Sequence, residues 1–149
     1  MNNRKVYISG EIVPEADAKI SIFDSAVLLG DTVTESTRTF NYKPFKLDDH
    51  LERLYKSFKL TRIDPQMTIE EMKKVSLDLL EINKDQYKGN EDCWLVHNIS
   101  RGHSITGGNP ALQVSKPTVM IYTQPMNLVL WAPFYTKGCH AVTPPTRMV

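Results

Sequence analysis

The stretch Leu47 to Ser57, LDDHLERLYKS, carries one permanently charged group, Arg53, on a segment of helical period. A guanidinium is planar, stays protonated, and can hold a phosphate or carboxylate through two parallel hydrogen bonds. Arginine also decorates ordinary solvated helices, so Arg53 is either solvent-facing or site-facing. The basic residues around it, Lys43, Lys46, Lys56, Lys59 and Arg62, are interleaved with Asp48, Asp49 and Glu52, the pattern of a mixed-charge helix face rather than of a nucleic-acid footprint. Other chemistries have less support. His50, His97, His103 and His140 lack the i, i+4 pairing of a helical metal site, and Cys93 and Cys139 lack the close spacing of a knuckle, so neither a metal nor a disulfide framework is expected. Ser36 and Ser104 have no nucleophile-elbow pattern around them. Ser100 to Pro110, SRGHSITGGNP, holds neither a dinucleotide nor a Walker pattern, and Gly107-Gly108 reads as turn chemistry before it reads as a phosphate cradle.

These groups need elements to hold them. Residues 5 to 9, KVYIS, and Ile12-Val13 flank a glycine turn and predict a hairpin. Residues 19 to 23 alternate, and Thr32 to Phe40, TVTESTRTF, has the β-formers of a strand; Asn41 to Pro44 is turn chemistry, with extended chain resuming over residues 45 to 47. Asp48 or Asp49 then caps a helix whose Leu51, Leu54, Tyr55 and Phe58 form one stripe, with Arg53 roughly opposite. Thr68 and Glu71 form the capping box of a second helix, which presents Ile69, Met72, Ser76, Leu79, Leu80 and Asn83 on one side and ends near Lys84. Strands are expected at Cys93 to Ile99 and Thr118 to Thr123. After a linker at residues 124 to 127, Leu128 to Trp131 and Lys137 to Val142 read as two strands opening a new sheet.

The fold class is therefore α+β: an antiparallel sheet with two helices over residues 1–124, followed by a linker and the first strands of an incomplete second domain over 125–149. The chain has 149 residues, 18 basic and 17 acidic, so no global charge steers it to nucleic acid or a membrane surface. No apolar run reaches the length of a membrane span, and a cytoplasmic protein is expected.

The order G30-D-T-V-T-E-S-T-R38 followed by F45-K-L-D-D-H-L-E-R-L-Y55 resembles the N-terminal part of the fold-type IV pyridoxal-phosphate enzymes. These include branched-chain amino-acid aminotransferases, D-amino-acid aminotransferases and 4-amino-4-deoxychorismate lyases. The resemblance implies that Arg53 contacts the phosphate of pyridoxal 5′-phosphate, with His50 either supporting it from behind or standing as a surface histidine in the cap region of the helix. It implies further that Thr34, Glu35 and Arg38 shape the substrate pocket, although Thr34 stands where the family often has an aromatic residue. Glu35 and Arg38 have an alternative as a structural ion pair on the sheet. The 100 to 110 loop is similar in location to the family's carboxylate-recognition loop; some relatives place an arginine where Thr106 stands, which leaves Arg101 as the nearby cation.

The lysine that joins the cofactor, and the carboxylate that holds its ring nitrogen, lie in the family beyond the segment matched by Cys139 to Thr143. No catalytic residue is thus assigned within these 149 residues, and Lys137 reads as a turn residue. The resemblance implies a parent aminotransferase that moves an amino group between an amino acid or amine and a 2-oxo acid, acting as a homodimer. The chain alone is expected to be inactive and not to hold the cofactor stably. Two alternatives stand beside this: a lyase of the aminodeoxychorismate type, and a non-enzymatic chain that self-associates through an unpaired strand.

Overall fold

The computed structural model describes residues 3–87, 91–103, 116–143 and 145. Ser104, Thr106 and Gly107-Gly108, singled out from the sequence, lie outside the described residues.

Strands β1 (Lys5–Ile8) and β2 (Glu11–Pro14) form the expected hairpin. Its two turn residues, Ser9 and Gly10, have φ of 46° and 109°, the left-handed backbone that matches the twist of tightly joined strands. Residues 19 to 23 do not pair as a strand. They lead into a short helix, α1 (Ser25–Leu29), whose N-cap is Asp24. The alternation there is misleading because Ile20, Ile22 and Phe23 are exposed rather than set against a sheet face.

Strand β3 (Thr32–Phe40) is followed by β4 (Lys43–Pro44), which folds back through a second two-residue turn with Asn41 and Tyr42 at φ of 49° and 61°. Helix α2 (Leu47–Thr61) begins immediately afterwards, so residues 45 to 47 are not the extended run expected. Its N-cap is Lys46 rather than Asp48 or Asp49; both aspartates lie inside the first turn, where negative charge offsets the helix dipole. Helix α3 (Ile69–Asn83) starts on the expected box, Thr68 Oγ1 accepting from Glu71 N and the Glu71 carboxylate accepting from Thr68 N. Strands β5 (Cys93–Ser100) and β6 (Thr118–Pro125) complete an antiparallel sheet of order β2-β1-β6-β5-β3-β4.

The period of two divides this sheet into unlike faces. On one face Tyr7, Val33, Leu95, Ile99, Val119 and Ile121 meet Leu47, Leu51, Leu54 and Phe58 of α2 and Met72, Leu79 and Leu80 of α3, forming the core. On the other, Thr34, Arg38, Trp94, Asn98 and Tyr122 are only partly covered, and a cleft of about 350 Å³ lies between β1, β6 and residues 18 to 20.

Beyond β6 the structure corrects the expectation of two strands. Leu128–Lys137 is a helix, α4, exposed along its length, and residues 138 to 143 form no strand. Leu128-Val129-Leu130-Trp131 is a continuous apolar run, which period alone cannot assign; a helix satisfies its backbone internally, whereas a strand needs a neighbour. No helix among the described residues is long and apolar enough to cross a membrane.

Leu51 is fully buried and Thr68 lies at the surface end of α3. Leu51→Ala is therefore expected to cost about 2–5 kcal/mol in urea unfolding, and Thr68→Ala about 1 kcal/mol through loss of the cap. A smaller loss for Leu51→Ala than for Thr68→Ala would contradict this core.

Candidate functional site

The centre of the site is a carboxylate on the wrong side of the sheet. The alternation of β3 turns Val33, Glu35, Thr37 and Thr39 toward the helices, and Glu35 is 5% exposed. A buried carboxylate must be paired and hydrogen-bonded. Helix α2 crosses β3 and supplies the partners from one turn: Arg53 Nε donates to Glu35 Oε2 at 2.7 Å, and Arg53 Nη2 donates to Oε1 at 2.6 Å. His50 Nδ1 lies 2.9 Å from Oε1, and the Ser36 N–H donates to the same oxygen at 3.0 Å. A protonated Nδ1 donates in this geometry. Burial pushes the Glu35 carboxyl up, but the bonds from Arg53, His50 and Ser36 outweigh it and hold the group below its ordinary value.

The bidentate contact occupies only the Nε/Nη2 edge of Arg53. The Arg53 side chain is nonetheless 67% exposed; Nη2 also lies 3.4 Å from His50 Nδ1, which with Nδ1 protonated is a contact and not a hydrogen bond, and the second edge, Nη1 with the outer hydrogen of Nη2, faces away from Glu35. The hydrogen bonds to Glu35 raise the guanidinium's proton affinity further, so its charge is permanent. Arg53 is thus surface-accessible yet fixed, with one fork available to an anion.

Behind Glu35 stands His97, its cross-strand partner on β5. Ser76 Oγ donates its one proton to Met72 O at 2.7 Å, so the contact of 2.7 Å between Ser76 Oγ and His97 Nε2 requires the Nε2–H tautomer. His97 Nδ1 is then a buried acceptor with no hydrogen-bond partner among the described residues. Burial pushes this imidazole down to about 4, against the pull of the Glu35 charge, so it is neutral near pH 7.

The remaining candidates separate. Thr34 and Arg38 lie on the opposite face of β3 from Glu35, so the three do not line one wall, and Glu35 and Arg38 do not pair. Arg38 instead stacks over the Phe40 ring at 4.0 Å and reaches Asp92 at 3.7 Å. Arg101 is engaged with protein groups: Nε donates to Asp31 Oδ2 at 2.7 Å, while Nη1 and Nη2 donate to Arg62 O and Thr61 O at 2.7 and 3.0 Å. It therefore closes the C-terminal end of α2. Neither Asp31 nor His97 is marked as functional by the sequence reading. For His97 the signal is present, since CWLVHNIS places it on the same face as Cys93, Leu95 and Ile99.

Residues 32–146 match the Amino-transferase class IV family. Over 143 residues the chain is 37% identical to a putative branched-chain-amino-acid aminotransferase of Methanocaldococcus jannaschii, covering 96% of this chain and 46% of that protein. A D-alanine aminotransferase of Staphylococcus haemolyticus is 34% identical over 85 residues, covering 57% of this chain and 30% of its own. Among solved structures, a T.th. branched-chain amino acid aminotransferase with pyridoxamine 5′-phosphate superposes with a TM-score of 0.73 at 25% identity, over 84% of this chain and 40% of that one. The chain belongs to the class IV aminotransferases and shares their fold, and it spans less than half the length of each of these relatives.

The buried imidazole has a thermodynamic consequence. The unfolded chain takes up a proton at His97 below pH 6.5, the folded chain only below about 4, so stability falls as pH drops through this window. The slope from this one group is at most about 1.4 kcal/mol per pH unit. His97→Gln is expected to remove it, read as a flatter dependence of the urea midpoint between pH 7 and pH 4.5. Glu35, held low, adds a loss of the same sign that sets in below its ordinary value of 4.5.

Proposed function

We propose that this chain supplies the small-domain part of a pyridoxal-phosphate-dependent aminotransferase, and that Arg53 anchors the cofactor phosphate. The parent reaction would move an amino group between an amino acid or amine and a 2-oxo acid. The observation that carries the reading is the state of Arg53: exposed, permanently charged, and locked on one edge while the other faces outward. Class IV aminotransferases bind pyridoxal phosphate, and a relative of matching fold was solved with pyridoxamine 5′-phosphate. A phosphate presents oxygens at the spacing that a guanidinium fork fits, so the residues present suit that part of the group.

When bound, the cofactor supplies the electron sink for breaking bonds at the amino-bearing carbon. This chain's contribution would be to bind and orient. Arg53 fixes one end of the cofactor, and His50 and Glu35 keep Arg53 from turning. Thr34 and Arg38, on the open face of the sheet, are left to meet the substrate. The lysine needed as amine partner and proton carrier is assigned to none of the described residues on this reading, and Lys137 is an exposed residue at the end of α4. A homodimer and a cytoplasmic setting belong to the same reading; the exposed apolar cluster Ile22, Phe23, Val27, Leu28 and Leu29 supports association. Of the two segments expected to offer an unpaired strand for self-association, Leu128–Lys137 is helical and residues 138 to 143 form no strand.

Two measurements test this. The 149-residue polypeptide, given pyridoxal phosphate, an amino acid and a 2-oxo acid, is expected to show no amino-group transfer; clear turnover would overturn the assignment of the chain's share. In NMR titrations at millimolar concentration, pyridoxamine 5′-phosphate is expected to shift the Arg53 Nε–H resonance, whereas pyridoxamine without the phosphate is not. An equal response to both, or none to either, would remove Arg53 as the anchor.

A further inference from the structure

The side-on grip of Glu35 on Arg53 also determines where an anion can be received. A guanidinium offers two forks: one from Nε and Nη2, the other from Nη1 and Nη2. Glu35 occupies the first through both of its oxygens, at 2.7 and 2.6 Å. The carboxylate itself cannot drift, because it is nearly fully buried and is held by the Ser36 N–H and His50 as well. An arginine at the surface of a helix ordinarily samples many rotamers, and ordering it on binding consumes affinity. Here the ordering is done beforehand by a group inside the fold.

We infer that Glu35 is a positioning residue for phosphate recognition: it pre-orients Arg53 so that a phosphate is received end-on, at Nη1 and Nη2, on the side away from β3. This rests on the reading of Arg53 as the phosphate anchor. Its sign is opposite to simple electrostatics. A negative charge beside the guanidinium opposes a second anion, so on charge alone removing Glu35 tightens phosphate binding. If Glu35 positions the fork, removing it weakens binding in spite of the relief of repulsion.

The test uses inorganic phosphate and the full chain, with the Arg53 Nε–H resonance reporting both affinity and solvent exchange. In Glu35→Gln the shape is kept but one of the two acceptors becomes a donor facing donors. The phosphate dissociation constant is expected to rise roughly three- to tenfold, the scale of one charge-assisted constraint, and exchange of Arg53 Nε–H to speed up. Glu35→Asp keeps the charge but shortens the reach, and is expected to weaken phosphate in the same direction; it also carries the test where Glu35→Gln does not fold. Unchanged or tighter phosphate binding in a folded variant would overturn the inference, leaving Glu35 a purely structural counter-ion. A wild-type chain whose Arg53 does not respond to phosphate would instead overturn the anchor reading itself, so the two failures are distinguishable.

Discussion

A carboxylate placed on the covered face of a sheet constrains everything near it. Glu35 occupies a position where the alternation of β3 calls for an apolar residue, as Val33 two places earlier shows. Leaving a charge unpaired there costs several kcal/mol, more than a surface ion pair returns. The pairing must therefore be complete, and α2 completes it with Arg53 and His50, three residues apart on one face of the helix. The register and rotation of α2 over the sheet then follow from two conditions at once. Leu51, Leu54 and Phe58 must enter the core, and Arg53 must reach Glu35 from the flank.

The same helix is held at its other end by the mirror of this device. Asp31, just before β3, grips Arg101, whose guanidinium donates to the carbonyls of Thr61 and Arg62 left open at the end of α2. Two acidic residues, at the head of β3 and just within it, thus each control an arginine, and each arginine addresses α2. The difference lies in what remains free. Arg101 gives both terminal nitrogens to protein carbonyls, whereas the outer fork of Arg53 faces away from its carboxylate. On the proposed reading, that contrast favours Arg53 over Arg101 as the anion-binding arginine, although the sequence marks both.

Much of the fold is legible in the sequence because local rules and packing agree. The hairpin at Ser9-Gly10, the capping box of Thr68 and Glu71, and the apolar stripes of α2 and α3 each express a short-range pattern that tertiary contacts reinforce. Legibility fails where a pattern has two solutions. Residues 19 to 23 alternate without a sheet to face, and Leu128 to Trp131 is apolar in a way that suits a strand or a helix equally. In the site, Arg53 and Glu35 are each marked by the sequence, but their contact is not, because a pairing across 18 residues depends on how far α2 is rotated over β3. The period of two separates Glu35 from Thr34 and Arg38, so of the three residues expected to shape the pocket only Thr34 and Arg38 share a face of the sheet.

That division also explains how one strand serves two tasks. The odd positions of β3 carry the core residues and Glu35, whose side-chain partners both come from α2. Its even positions, Thr34 and Arg38 among them, lie on the half-open face shared with Asn98 and Tyr122. Changes at even positions alter that face while leaving the ion pair beneath the helix untouched, because side chains on opposite faces of a sheet do not pack together. If Arg53 receives the phosphate as proposed, recognition there is a matter of geometry more than of charge. The Glu35–Arg53 pair is close to neutral as a unit, so it offers little long-range attraction, and what it offers an incoming phosphate is a fork already in place.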